Sequence, residues 1–152
     1  MAGLDVIAVQ DIITEHIRDE FSAYEVYEDG VLDDEYLLQV NNNVKPYIVV
    51  THGMPMRNPT GASFGGVRQD EYTCSVDVSI VAPKGKQVRL ALNLIHDQLV
   101  GFKPTGGSAL TPFASGGPWA ILNTSGATHV YTGSVRFEYA INSEEPGAYI
   151  TP

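Results

Sequence analysis

The residues spaced like a catalytic centre lie in "GASFG", Gly61 to Gly65, which fits the G-x-S-x-G pattern of a nucleophile elbow. In that elbow a strand delivers the serine onto a strained turn, and the following helix lends amides to an oxyanion hole. Asp97 and His129 come after Ser63 in the chain order of a hydrolase triad. The flanking residues do not build the elbow, however. Asn58, Pro59 and Thr60 precede it, and Gly66 with a strand pattern follows where a helix is required. A small serine hydrolase using Ser63 is therefore a minor reading, and no catalytic residue is expected.

Other chemistry-bearing types are scattered. His16, His52, His96 and His129 fall on different elements and form no H-x-H or H-E-x-x-H pair. His96 and Asp97 are adjacent, and on a helix neighbours in sequence point in different directions, so a solvated pair is expected. The acidic run Glu25, Glu28, Asp29, Asp33, Asp34, Glu35 lacks the spacing that wraps carboxylates around Ca²⁺ and reads as a solvated hairpin tip. Gly106-Gly107 and Gly116-Gly117 lack the Lys-Ser or Lys-Thr of a phosphate loop, and Lys84-Gly85-Lys86 reads as a turn. Cys74 is the only cysteine, which excludes an internal disulfide and a multi-cysteine zinc site. No cofactor and no metal is expected, and no convergent set of polar groups marks a small-ligand site.

The totals narrow the partners. At 152 residues and 43% apolar, the chain is expected to be one domain with a sizeable core: a body over residues 4–142 and an extended tail over 143–152. The net charge is −9, with nine Lys plus Arg. Such a body has no counterion-release drive towards nucleic acid or an anionic membrane surface. No apolar run approaches the ~20 residues that span a bilayer. The start, "MAGLDVIAVQ", has no basic stretch before its apolar residues, so it does not read as a secretory signal.

The elements that must position these residues follow from periodicity. Leu4 to Phe21 places Val6, Val9, Ile13, Ile17 and Phe21 on one helical stripe, with Asp5 as its cap. Tyr24–Tyr27 and Tyr36–Val40 are short strand candidates joined across a "DG" turn, and Asn41 to Asn43 make a second turn. Lys45 to Gly53 is a strand. Tyr72 to Pro83 alternates: Tyr72, Cys74, Val76, Val78, Ile80 and Ala82 face a core, while Thr73, Ser75, Asp77 and Ser79 face away. Lys86 to Phe102 is a second helix with the stripe Val88, Leu92, Ile95, Leu99 and Phe102. Leu90 and Leu94 widen it, which predicts deeper burial than the first helix, and Gly101 stops it. Thr128 to Asn142 is a long strand whose polar face carries Thr132, Ser134, Arg136 and Glu138, with Arg136 placed to meet Asp77. The expected fold is α+β, an antiparallel or mixed sheet with two helices packed on one face.

Two long Gly/Pro-rich loops remain, Gly53 to Asp70 and Lys103 to Trp119. They carry Met54, Met56, Arg57, Phe64, Val67, Arg68, Leu110 and Phe113, residue types that interfaces favour. These are the candidate partner-binding residues. Trp119 is expected to fold back into the core. The hydrophilic strand faces, with Thr73, Ser75, Asp77, Ser79, Arg136 and Glu138, are expected to border a neighbouring subunit or a channel.

Taken together, the helix "DVIAVQDIITEHI", the strand "KPYIVVTHG" with its long loop, "DEYTCSVDVSIVAP", the helix "RLALNLIHDQLVGF" and the closing strand "GSVRFEYAIN" cover most of residues 4–142. In this order they resemble the tail terminator proteins of long-tailed, non-contractile bacteriophages. The resemblance implies a structural virion protein, assembled in the host cytoplasm, that forms a homohexameric ring on the end of the tail tube. It implies that the ring stops tube polymerisation and joins the tail to the head-side connector. DNA would pass through the centre without specific binding, and acidic walls suit such a passage. Another neck component, a head-completion or stopper protein, is the alternative, and tail-tube binding separates the two.

Overall fold

A computed structural model describes residues 3–30, 39–40, 43–57, 63–64, 67–68, 71–113, 119–123, 130–142 and 149–150. Helix α1 spans Val6–Glu20, and the Asp5 carboxylate accepts a hydrogen bond from the Ala8 amide at 2.9 Å. Such a cap contributes about 1 kcal/mol to the helix. Strands β1 (Glu25–Glu28), β2 (Tyr47–His52), β3 (Met56–Arg57) and β4 (Glu71–Ala82) follow. Helix α2 spans Gly85–Leu99 and ends before Gly101, whose φ of 84° is the left-handed turn that glycine adopts without strain. Then come β5 (Thr111–Pro112), β6 (Ile121–Asn123) and β7 (Val130–Asn142).

These seven strands form one mixed sheet. Its order across is β5, β7, β4, β2, β1, with β6 beside β5 on the free edge of β7 and β3 beside β2 on the edge of β4. Only β1 and β2 run parallel. The two strand candidates Tyr24–Tyr27 and Tyr36–Val40 are not paired with each other among the described residues: β1 pairs with β2, Gln39–Val40 pairs with Asn43–Val44, and residues 36–38 lie outside the described ones. The "DG" turn stands, with Asp29 at φ 63° and Gly30 at φ 130°. Residues 31–38, which include Asp33, Asp34 and Glu35, lie outside the described residues. The chain ends meet, because Gly3–Leu4 pairs antiparallel with Tyr149–Ile150 in what reads from sequence as a tail.

The central ladder joins β4 to β7 along the whole of β4, from Tyr131 opposite Ala82 to Asn142 opposite Glu71. Cys74, Val76, Val78 and Ile80 are buried; Tyr139 opposite Cys74 and Phe137 opposite Val76 are buried with them, as is Ile141 opposite Tyr72. Against this face α1 buries Val9, Ile13 and Ile17, and α2 buries Val88, Leu92, Ile95 and Leu99. Each such side chain contributes about 1.5–3 kcal/mol by leaving water. Both helices lie on one side of the sheet, as expected.

Three expectations about the core are corrected. Leu90 is 62% and Leu94 is 44% exposed, so they do not widen the buried stripe of α2. They stand two residues from Val88 and Leu92, which on a helix is a rotation of about 200°. Trp119 does not fold into the core either and is 57% exposed. Leu110, offered as a partner-binding residue, is fully buried instead. Its amide donates to the Phe102 carbonyl and its carbonyl accepts from Gly101, which draws the second loop back over the end of α2.

Gly133 makes one close approach possible. A Cβ there would strike the Trp119 carbonyl and come within 2.6 Å of Leu92 and 2.8 Å of Val88. Gly133→Ala is expected to lower stability by about 1–3 kcal/mol, the cost of forcing extra volume into a packed contact. Chemical denaturation followed by emission of Trp119, the single tryptophan, measures it.

Candidate functional site

The face of the sheet opposite the helices has no described element packed over it. The register maps it row by row. Arg136 stands opposite Asp77, which stands opposite Thr51; Glu138 stands opposite Ser75; Ser134 and Ser79 pair beside Val49. Arg136 donates from Nε to Asp77 Oδ1 at 2.8 Å and from Nη2 to Oδ2 at 3.2 Å, the cross-strand meeting expected from the sequence. The Asp77 hydrogen bond, then its charge, raises the guanidinium above its ordinary pKa. An exposed pair of this kind adds little net stability because water screens it, but it fixes two charges at the middle of the face. Thr73, Ser75, Asp77, Ser79, Arg136 and Glu138 all lie on this side.

Larger side chains rim that polar centre. Tyr27 and Tyr47 meet edge to face at 5.7 Å on one flank. On the other, the Phe113 amide donates to the Arg136 carbonyl, and the Phe113 side chain is half exposed. Met56 arrives by a bulge. Tyr47–His52 pair with Val81–Val76, and the Gly53 amide donates to the Ser75 carbonyl at 2.9 Å. Met56 then pairs with Thr73, so Met54 and Pro55 stand opposite Cys74 alone. This extra residue flips the faces. Without the bulge Met56 would point to the core; with it, Met56 shares the outer face with Thr73 and is 71% exposed, beside Met54 at 87%. A Cβ at Gly53, where the bulge begins, would displace the Ser75 hydroxyl and meet the rest of Ser75 at ordinary contact distance.

The rest of the first loop is a short ladder in its described part. Ser63 pairs with Arg68 and Phe64 with Val67, and Arg57 pairs with Tyr72 at the end of β3. Ser63 thus opens a hairpin arm, and a strand follows it rather than a helix. Asp97 is exposed on α2 beside His96, at 3.8 Å. His129 lies outside the described residues.

A second feature was not legible in the sequence. Gly85, Lys86, Arg89, Leu90, Trp119 and Tyr131 line an open groove of about 880 Å³. Gly85 sits against the Tyr131 ring, where a Cβ would lie 3.3 Å from it, and the close pass at Gly133 holds Trp119 on the opposite wall. The sequence signal that marks it is the position of Leu90 on the helix, nearly opposite the buried stripe.

Three buried polar groups sit apart from these surfaces. His52 Nε2 lies 2.8 Å from Thr14 Oγ1 while its Nδ1 has no partner among the described residues. Burial lowers its pKa, against the opposing charges of Glu28, Asp29 and Asp11. Cys74 is pushed up to about 11 by burial. Its cross-strand neighbour Tyr139 is raised by burial too, with the weakly bonding Cys74 thiol beside it. His16 stacks flat on Phe102 at 3.7 Å. Among the described residues, no three His, Cys, Asp or Glu side chains come together around a metal position, and no helix is long and apolar enough to cross a membrane.

Two measurements follow. Between the lowered native pKa of His52 and its ordinary 6.5, the unfolded chain binds the proton and the native chain does not. Stability therefore rises with pH through that window and is lost as pH falls through it. Thermal unfolding of wild type is expected to weaken more than that of His52→Gln on acidification from about pH 7 to pH 5; parallel curves would show that His52 contributes nothing. At pH 8, Cys74 is expected to react with a thiol reagent at least about a hundredfold more slowly in the native protein than in denaturant.

No protein-family model matches the chain, and no curated protein matches it. Thirteen chains of solved structures do. One of them covers 91% of this chain and 96% of its own at 14% identity, with a TM-score of 0.46. That likeness carries no inference about activity or partners.

Proposed function

We propose that this chain is a structural assembly subunit, a tail terminator of a long-tailed, non-contractile bacteriophage. In this reading copies form a ring that caps the head-proximal end of the tail tube, stops its polymerisation and presents its other side to the head connector. The observation that carries it is the two-faced sheet. One face is closed by both helices; the other offers a polar centre rimmed by Met54, Met56, Phe113 and the Tyr27–Tyr47 pair. Met, aromatic and Arg side chains around a polar centre have the composition of a surface that docks another protein. The ordered series of motifs across residues 4–142 supports the family reading, and the charge of −9 suits a channel through which DNA slides without adhering.

The roles divide accordingly. Met54 and Met56, projected by the bulge, are assigned to the tube or the connector. Thr73, Asp77 and Arg136 are assigned to a neighbouring subunit or to the channel wall. No step of covalent chemistry is assigned to Ser63.

Electron microscopy of the purified protein mixed with tail-tube subunits tests the proposal. Sixfold rings and tubes of limited length are expected. Replacing Met54 and Met56 together by Glu is expected to leave the fold intact and abolish tube capping. A protein that stays monomeric and never changes tube length overturns the proposal, and rings that bind a head connector but no tube favour the stopper alternative.

A further inference from the structure

The groove at the start of α2 combines two properties that a free surface rarely keeps together. Its walls are apolar, with Trp119 and Leu90 more than half exposed and Tyr131 between them. Its rim is cationic. Lys84, Lys86 and Arg89 are three of only nine Lys and Arg in the chain, and no carboxylate among the described residues forms an ion pair with them. A ligand that fits must bring an apolar anchor followed by negative charge.

The outer stripe of α1 has that pattern. Ile7 is 65% exposed, an unusual position for isoleucine on a helix whose other face supplies the core. Asp11 and Glu15 follow at intervals of four, so the three side chains stand in line along one exposed face. Asp19 continues the line, and only Arg18 interrupts its negative charge, held by Glu15 at 2.8 Å. The two features lie at opposite ends of the sheet. α1 packs beside β1 at one edge, whereas the groove is walled by Trp119 and Tyr131 beside β6 and β7 at the other. One copy cannot satisfy itself across that width, and two copies meeting in this way leave one groove and one α1 face free for further copies. Such a head-to-tail contact propagates, and it closes into a ring when the rotation allows.

We propose that the groove of one copy receives the outer face of α1 of the next. Ile7 seats against Trp119 and Leu90, and Asp11 and Glu15 meet Lys86 and Arg89. This contact rests on the reading of the chain as a self-assembling subunit and names the surface that does the assembling. The overall charge of −9 makes copies repel at a distance, so a cationic groove is where contact between them is least opposed.

Sedimentation velocity and acrylamide quenching of Trp119 test the contact, with circular dichroism as the check on folding. In wild type, rising concentration is expected to produce oligomers and to shield Trp119 at least about twofold from quencher, since the residue leaves water. The variant Lys86→Glu/Arg89→Glu and the variant Asp11→Lys/Glu15→Lys are each expected to remain monomeric with Trp119 quenched. Mixed one to one, they are expected to oligomerise again as an alternating series, because the intact groove meets the intact helix face and the Glu-bearing groove meets the Lys-bearing face. All four changes in one chain restore oligomers. A wild type that stays monomeric with accessible Trp119 overturns the contact. So do oligomers that survive the groove variant with Trp119 still quenched, an outcome that leaves the ring reading standing with its interface elsewhere.

Discussion

The antiparallel ladder between β4 and β7 is the constraint from which the rest of the molecule follows. Because side chains alternate along both strands, one register assigns every residue of two long segments to a face at once. Val76 opposite Phe137 and Cys74 opposite Tyr139 go to the core. Asp77 opposite Arg136 goes outward, and a slip of one residue would bury that ion pair while exposing the greasy set. The cost of such a slip is the burial energy of several large side chains together, so the register has no competitor. Both helices then have only one apolar face to cover, and the other face is left to water or to a partner.

Onto that rigid pair the surfaces are placed by local backbone features rather than by large elements. The bulge after Gly53 turns Met56 from the core side to the outer side with a single extra residue. Gly133 lets the Trp119 carbonyl and the Val88 and Leu92 side chains of α2 approach the same point of β7, and Trp119, Tyr131 and Gly85 line the groove beside it. The pull of Leu110 into the core, with its backbone tied to Gly101 and Phe102, brings Phe113 beside Arg136. In each case a glycine or a buried anchor sets where an exposed side chain ends up. Surfaces made this way are stiff, and stiffness limits the ordering entropy lost when another protein docks.

Charge is distributed unevenly over the molecule. The negative charge is spread over the body while three cations gather at the start of α2. On the proposed terminator reading, this separation lets one sign of charge face passing DNA while the other holds a neighbour. The central Asp77–Arg136 pair is neutral in sum and leaves the outer face without a strong field of its own.

The amino-acid sequence by itself determined the fold class, both helices with the Asp5 cap and the Gly101 stop, the four principal strands, and the inner and outer sets of β4 and β7. Those features depend on periodicity over many residues, where each position repeats the same message. It did not determine the parallel pairing of β1 with β2, the bulge that exposes Met56, the burial of Leu110 or the exposure of Trp119. These depend on which distant segments meet, and a single residue in a Gly/Pro-rich stretch carries no period to reveal its neighbours. Leu90 lies between the two cases: its angle on the helix was readable, but only the sheet and the Trp119 segment made it part of the wall of a groove. Local patterns repeat and can be read in one dimension. Close approaches are decided by packing in three.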